Sequence, residues 1–300
     1  MPDPAARDAA EEASALSHPA VDPDSTARYG DHPDQVIDFY APRDGRDGDV
    51  PLVVVLHGGA WRARFDRWHI TPFADYLARR GFAVANVEYR RGGGLPGPRA
   101  GSPATGEAGS GGPVAGRWPE TFDDVAAALD ALPELAAVHL PAADPRRTVL
   151  TGHSAGGHLA LWAAARHVLP AGSPWRPARA PELRGVVALA PIAHFGLAVE
   201  LEVCGGAVTQ LLGGPDRLAE RAAHTDPALL LPTGIATTLV QGRDDVVVPR
   251  AVAEAYAEAA AKAGETAGLT LLDEVGHFPL IDPAADACAV VAEEIAQLAW

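Results

Sequence analysis

Only two cysteines occur in the 300 residues, Cys204 and Cys288, and their unrelated surroundings give neither a metal-ligand spacing nor a disulfide framework. Positive charge is also scarce. With 24 basic against 39 acidic residues the net charge is −15 with neutral histidines, which argues against a nucleic-acid groove and against adhesion to an anionic membrane. No apolar run approaches the ~18 residues that a membrane span needs. The opening thirty-odd residues are rich in Ala, Asp, Glu and Pro. They hold neither the basic start nor the apolar centre of a secretory signal. The expectation is a cytoplasmic protein whose acidic surface mainly confers solubility. No H-E-x-x-H or comparable histidine cluster marks a metalloenzyme, so no metal site is expected.

What the chain does have is apolar residues, 48% of the total, enough for a sizeable core in one large domain or two small ones. Met1 to Pro33 shows no periodic apolar pattern and reads as a loosely attached tail, with a single domain following from residue 34. Gln35 to Tyr40 alternates like a strand. Pro51 to Leu56 is continuously apolar, as in a strand buried on both faces. Helical spacing from Ile70 to Arg80 is stopped by Gly81, and Phe82 to Tyr89 forms the next strand. Gly92 to Gly116 holds ten glycines and four prolines and reads as a flexible surface loop. Gly92, Gly94 and Gly97 there imitate a dinucleotide-binding G-x-G-x-x-G. However, Pro96, Pro98 and Pro103 forbid the helix that would hold a pyrophosphate. A helix then runs from about Thr121 to Leu132. Further strands are predicted at Arg147 to Thr151, Leu183 to Leu189, Ile235 to Val240 and Leu269 to Leu272. Helices are predicted at Ala155 to Arg166, Ala251 to Ala263 and Pro283 to Trp300. Residues 191 to 232 read as a cap-like segment over the strand ends. Alternating strands and helices predict an α/β fold, a mostly parallel sheet covered on both faces.

The chain is organised around Gly152-His153-Ser154-Ala155-Gly156, a G-x-S-x-G pattern between a β-branched run and an alanine-rich helical run. A serine on a sharp strand-to-helix turn projects its hydroxyl above the carboxyl edge of the sheet, where ligands of such folds bind. A neutral serine needs a base, and the base needs an acid to orient it. Of eleven histidines, His153 and His158 lie too close to fold back onto Ser154, and His18 and His32 sit in the tail. His57 reads as a loop-stabilising residue. His277, just after the last strand in Gly276-His277-Phe278, stands apart as the base. The end of the preceding strand supplies two candidate acids, Asp244 and Asp245. An acyl-transfer site also needs donors for the developing oxyanion. In His57-Gly58-Gly59-Ala60-Trp61 the N–H groups of Gly58, Gly59 or Ala60 can turn inward, and that of Ala155 completes the hole. Trp61 suits either the substrate pocket or the core.

In these motifs the chain resembles the α/β-hydrolase superfamily across nearly all of Gln35 to Trp300. It is most similar to the esterase branch with an H-G-G-x-W loop, the kynurenine formamidase and feruloyl-esterase-like groups. The resemblance implies Asp245, four residues before Pro249, as the acid and His277 as the base, in the order Ser154, Asp245, His277 with gaps of 91 and 32 residues. It implies Gly58, Gly59 and Ala155 as oxyanion donors and hydrolysis without a cofactor. Gln241, where relatives often have histidine, and Ala193-His194, where many have alanine and aspartate, depart from the pattern outside the triad. So does the long Gly92 to Gly116 loop.

The expected function is a metal-independent serine hydrolase acting on a small-molecule ester or N-formyl aryl amide, as a carboxylesterase or an arylformamidase. No nucleic acid or membrane partner is expected, and a homodimer stays open. A peptidase lacks its propeller or large gating domain here. The alternative from another class is a non-catalytic binding or interaction module on a hydrolase fold.

Overall fold

A computed structural model describes residues 3–45, 48–92 and 115–300. Helix α1 (Pro4–Ala15) and edge strand β1 (Ser25–Arg28) lead into β2 (Val36–Tyr40) and β3 (Val50–Leu56). There follow α2 (Thr71–Ala78), β4 (Ala83–Val87), α3 (Glu120–His139), β5 (Ala143–His153), α4 (Ala155–Ala164) and β6 (Gly185–Leu189). Three short helices come next: α5 (Phe195–Glu200), α6 (Ala207–Leu211) and α7 (Leu218–Thr225). The chain closes with β7 (Thr237–Gly242), α8 (Ala251–Lys262), β8 (Ala267–Leu272) and α9 (Asp286–Ala299).

The strands form one sheet in the order β1-β2-β4-β3-β5-β6-β7-β8. Only β1 and β2 run antiparallel to their neighbours; from β4 onward the pairing is parallel. The fully buried β3, β4 and β6 show why their sequences are apolar without alternation: each contacts a helical layer on both faces. One layer includes α3 and α4, with Phe122 and Trp162 in its core; the other includes α2 and α9, with Phe73 and Ile295. No described helix is long and apolar enough to cross a membrane.

Two expectations are corrected. The opening segment is not a loose tail, because α1 is tied to the far end of the chain. Arg7 Nη1 donates to Asp244 Oδ2 at 2.8 Å, Ser14 Oγ to Asp282 Oδ2 at 2.6 Å, and Gly276 N–H to Glu11 Oε1 at 3.2 Å. These are polar contacts, and only Ala15 of α1 is buried, so no apolar period announced the helix. The second correction is that α3 runs through Pro133 to His139 instead of stopping at Leu132. The predicted strands and remaining helices occur with ends shifted by a few residues. Most of the Gly92 to Gly116 loop, with Gly94, Gly97 and the prolines of the imitation motif, lies outside the described residues. Its described ends, Gly92 and Gly116, both donate their N–H to the Trp61 carbonyl.

Candidate active site

Ser154 follows directly on β5 and caps α4 at φ +57° and ψ −116°, a backbone region that a residue with a side chain enters only under constraint. The surroundings impose it. Ser154 N–H donates to the Leu189 carbonyl at 2.8 Å, and its own carbonyl accepts from His158 N–H at 3.1 Å and Ile192 N–H at 3.3 Å. The turn is also tight against β3. A Cβ on Gly156 would stand 2.0 Å from the Leu56 oxygen, and one on Gly152 2.4 Å from the Gly156 oxygen. The glycines of G-x-S-x-G are therefore demanded by close backbone packing.

His277 and Asp245 meet as expected: His277 Nδ1–H donates to Asp245 Oδ2 at 2.7 Å, with both side chains almost wholly buried. The other carboxylate oxygen, Oδ1, accepts the N–H groups of Val247 and Val248, each at 2.8 Å. This net fixes the carboxylate and hence the ring. Asp244, the other candidate acid, pairs instead with Arg7 Nη1 at 2.8 Å. Asp245→Asn is accordingly expected to lower turnover by about 10⁴-fold, by analogy with the same change in serine proteases, whereas Asp244→Asn retains most of it. Comparable losses in the two variants would reject Asp245 as the acid.

Two contacts at this point were not legible beforehand. Gln241, where the groups the sequence resembles often have histidine, donates its amide to Asp245 Oδ2 at 3.0 Å. His153 donates Nε2–H to the His277 carbonyl at 3.0 Å, with the rings 4.3 Å apart. Burial, and then the neighbouring His277, push His153 well below the ordinary histidine range, so it is neutral and serves as a brace for the His277 loop. Its place beside the serine carried no signal of that role.

The predicted oxyanion loop, His57-Gly58-Gly59-Ala60-Trp61, leaves β3 with positive φ at Gly59 (+104°), Ala60 (+50°) and Trp61 (+55°). Among the described residues, the N–H groups of Gly58, Gly59, Ala60 and Ala155 take no acceptor, which is the condition for binding an oxyanion. The loop is held from behind. His57 meets its own loop at the Gly58 carbonyl through Nδ1 and Glu88 Oε1 through Nε2, both at 2.9 Å, and Tyr89 Oη donates to the His57 carbonyl at 2.6 Å. Burial pushes the Glu88 carboxyl up, but His57 and Arg91 beside it outweigh this and hold it down at about 2. His57 is thus the loop-stabilising residue expected. Trp61 resolves toward its core role: it is 0% exposed, packs edge-on to His158 and Phe195, and does not line the cavity.

Ser154 and His277 open on one cavity of about 550 Å³. Phe65 and Phe278 give it aromatic wall, and His69, Arg62, Cys204 and Glu12 give it polar wall, Glu12 being contributed by α1. His69 donates Nδ1–H to the Asp66 carbonyl, and burial followed by the nearby His57 lowers it to about 3, so it is a neutral ring. The cap-like segment is anchored on α4 through His158 Nε2–H to the Thr225 carbonyl and Trp162 Nε1–H to the His224 carbonyl, at 2.9 and 2.8 Å. Among the described residues no group of three or more His, Cys, Asp or Glu side chains stands together as a metal site.

The BD-FAE family model matches residues 37–100. A probable isoprenylcysteine alpha-carbonyl methylesterase from Oryza sativa subsp. japonica is 26% identical over 84% of this chain and 56% of its own length; a second from the same plant is 24% identical over 83% and 56%. The chain thus spans about half the length of the curated relatives it matches. Among solved structures, esterase B from Lactobacillus rhamnosis superposes with a TM-score of 0.73 at 20% identity, covering 98% of this chain and 91% of that one. Esterase 2 from Thermogutta terrifontis gives 0.64 at 21%, covering 95% and 94%. With the sheet order, these similarities show that the chain has the fold of these esterases, and the BD-FAE match falls on the stretch that contains His57-Gly58-Gly59-Ala60-Trp61.

Proposed function

We propose that this chain is a serine hydrolase that cleaves a small carboxylic ester through an acyl-enzyme. The observation that carries this reading is the 2.7 Å contact of His277 Nδ1 with the buried, doubly amide-bound Asp245, at the same cavity as the strained Ser154. In the proposed reaction His277 Nε2 takes the Ser154 proton as Oγ adds to the substrate carbonyl. The oxyanion is received by N–H groups of Gly58, Gly59 or Ala60 with that of Ala155, each such donor being worth ~2.7–4 kcal/mol in a comparable site. His277 then hands its proton to the departing alcohol. Water, deprotonated by the same nitrogen, releases the acid and restores Ser154. Asp245 stays ionised throughout and holds the imidazolium in place.

Relatives support the reaction class. The Lactobacillus esterase B is described with a tributyrin phosphonate inhibitor, and the Thermogutta esterase as phosphoramylated by tabun. Within the same chemistry an N-formyl aryl amide is the second substrate class, favoured by the H-G-G-x-W loop and the aromatic wall of Phe65 and Phe278.

The test is hydrolysis of p-nitrophenyl acetate and N-formylkynurenine side by side by the unaltered protein and by Ser154→Ala. The expected result is serine-dependent release of p-nitrophenol. A strong preference for the formamide instead makes the protein an arylformamidase, and serine-independent or absent turnover of both returns the fold to a binding module.

A further inference from the structure

The proposed oxyanion loop continues past Trp61 into Arg62, which lines the same cavity as Ser154. Its Nη2 donates to the Cys204 carbonyl in the cap-like segment at 2.6 Å. That carbonyl is aimed by an unusual backbone: Cys204, Gly205 and Gly206 all have positive φ, at +52°, +64° and +72°. The guanidinium is therefore pinned between the oxyanion loop and the cap, at a fixed place on the cavity wall. Yet Nε is buried and has no acceptor, and among the described residues Arg62 takes no ion-pair partner. Buried donors of charged groups are ordinarily satisfied, because leaving one bare forfeits its hydration. An arginine on the wall of the cavity, held by the Cys204 carbonyl and without an ion-pair partner among the described residues, is suited to an anionic acceptor that arrives with the substrate, and a carboxylate matches its donors.

We propose that Arg62 is the specificity residue that anchors a carboxylate carried on the acyl part of the substrate. The proposal rests on the ester-hydrolase reading and deepens it by naming the substrate class: half-esters of dicarboxylic acids or similar anionic acyl groups. The acyl side is assigned from placement. Arg62 follows the oxyanion donors on their own loop, whereas Glu12 enters the cavity from α1, which is bonded to the loop carrying His277 at Gly276. His277 serves the leaving group, so the Glu12 carboxylate opposes an anion on that side and the two charges together orient the substrate. Arg64, also on the wall, adds to the positive end.

The experiment compares monomethyl glutarate with dimethyl glutarate, which differ at the distal group alone, a carboxylate in one and a neutral methyl ester in the other. Binding is measured by calorimetry to Ser154→Ala, which retains substrate unhydrolysed, and to Ser154→Ala carrying Arg62→Gln or Arg62→Lys. Hydrolysis of both esters by the unaltered protein is measured in parallel by proton release. The expected result is that the monoester binds about tenfold or more tightly than the diester to Ser154→Ala. That preference should fall below about twofold with Arg62→Gln, while Arg62→Lys restores part of it through charge without the planar fork. Equal binding of both esters to Ser154→Ala, or an undiminished preference in Arg62→Gln, overturns the proposal. The Ser154→Ala arm decides even if the arginine variants fail to fold. Turnover of the dimethyl ester without an anionic preference leaves the hydrolase reading standing and removes only Arg62. Absence of turnover of either ester by the unaltered protein, with the preference intact, removes the hydrolase reading and leaves only the anion contact at Arg62.

Discussion

Ser154→Ala and His277→Ala are each expected to reduce ester turnover by roughly four to six orders of magnitude, the range seen when one member of such a catalytic unit is removed. Little change in folding should accompany the loss. Ser154→Gly sharpens the experiment. The backbone at this position sits at φ +57°, which a side chain makes unfavourable and glycine does not. The glycine variant is therefore expected to be as inactive as the alanine variant but more stable, by about 1 kcal/mol, with a thermal midpoint raised by a few degrees. Stability rising as activity vanishes would indicate that folding holds this turn in place for its chemistry. If Ser154→Gly were less stable than Ser154→Ala, the strain would not reside at this residue.

Gly156→Ala is the second large effect, and helix propensity alone gives it the wrong sign. Position 156 lies in the first turn of α4, where alanine is favoured over glycine by about 1 kcal/mol. The added methyl, however, would meet the Leu56 oxygen at 2.0 Å and the His57 oxygen at 2.4 Å, backbone atoms of β3 and of the proposed oxyanion loop. No flexible side chain is available to yield. The expected cost is about 3 kcal/mol or more, read as a fall in thermal midpoint of roughly ten degrees, with activity falling as the displaced loop loses its aim. Gly264→Ala is the control. It has φ +81° with nothing within 4 Å of the added atom, so only the backbone penalty of about 1–2 kcal/mol applies. A Gly156→Ala protein as stable as the parent would mean that α4 can retreat from β3.

The contrast between these glycines shows what could be read from the chain and what could not. The β3 and α4 segments were legible because burial on both faces leaves a continuous apolar run, and because G-x-S-x-G encodes a local crossing. His277 and Asp245 were legible as candidates through their places after β8 and β7. The choice of Asp245 over Asp244 needed the resemblance, since two adjacent carboxylates look alike until their amide partners are known. The partners of Gln241 and His153 depend on loops brought together by the sheet, so no local pattern records them. The segment α1 was missed for the same reason, being attached by ion pairs and hydrogen bonds rather than by an apolar stripe. Pro133 concealed the last turns of α3, because a proline is usually taken as a stop.

The docking of α1 has a temporal consequence. Its anchors join Arg7 to Asp244, Glu11 to Gly276 and Ser14 to Asp282, across separations of 237, 265 and 268 residues. During synthesis this helix leaves the ribosome well before its attachment points, which follow more than two hundred residues later. The wall that Glu12 supplies therefore closes only once the segment through Asp282 is free to fold, and a nascent polypeptide carries Ser154 long before it possesses a finished cavity.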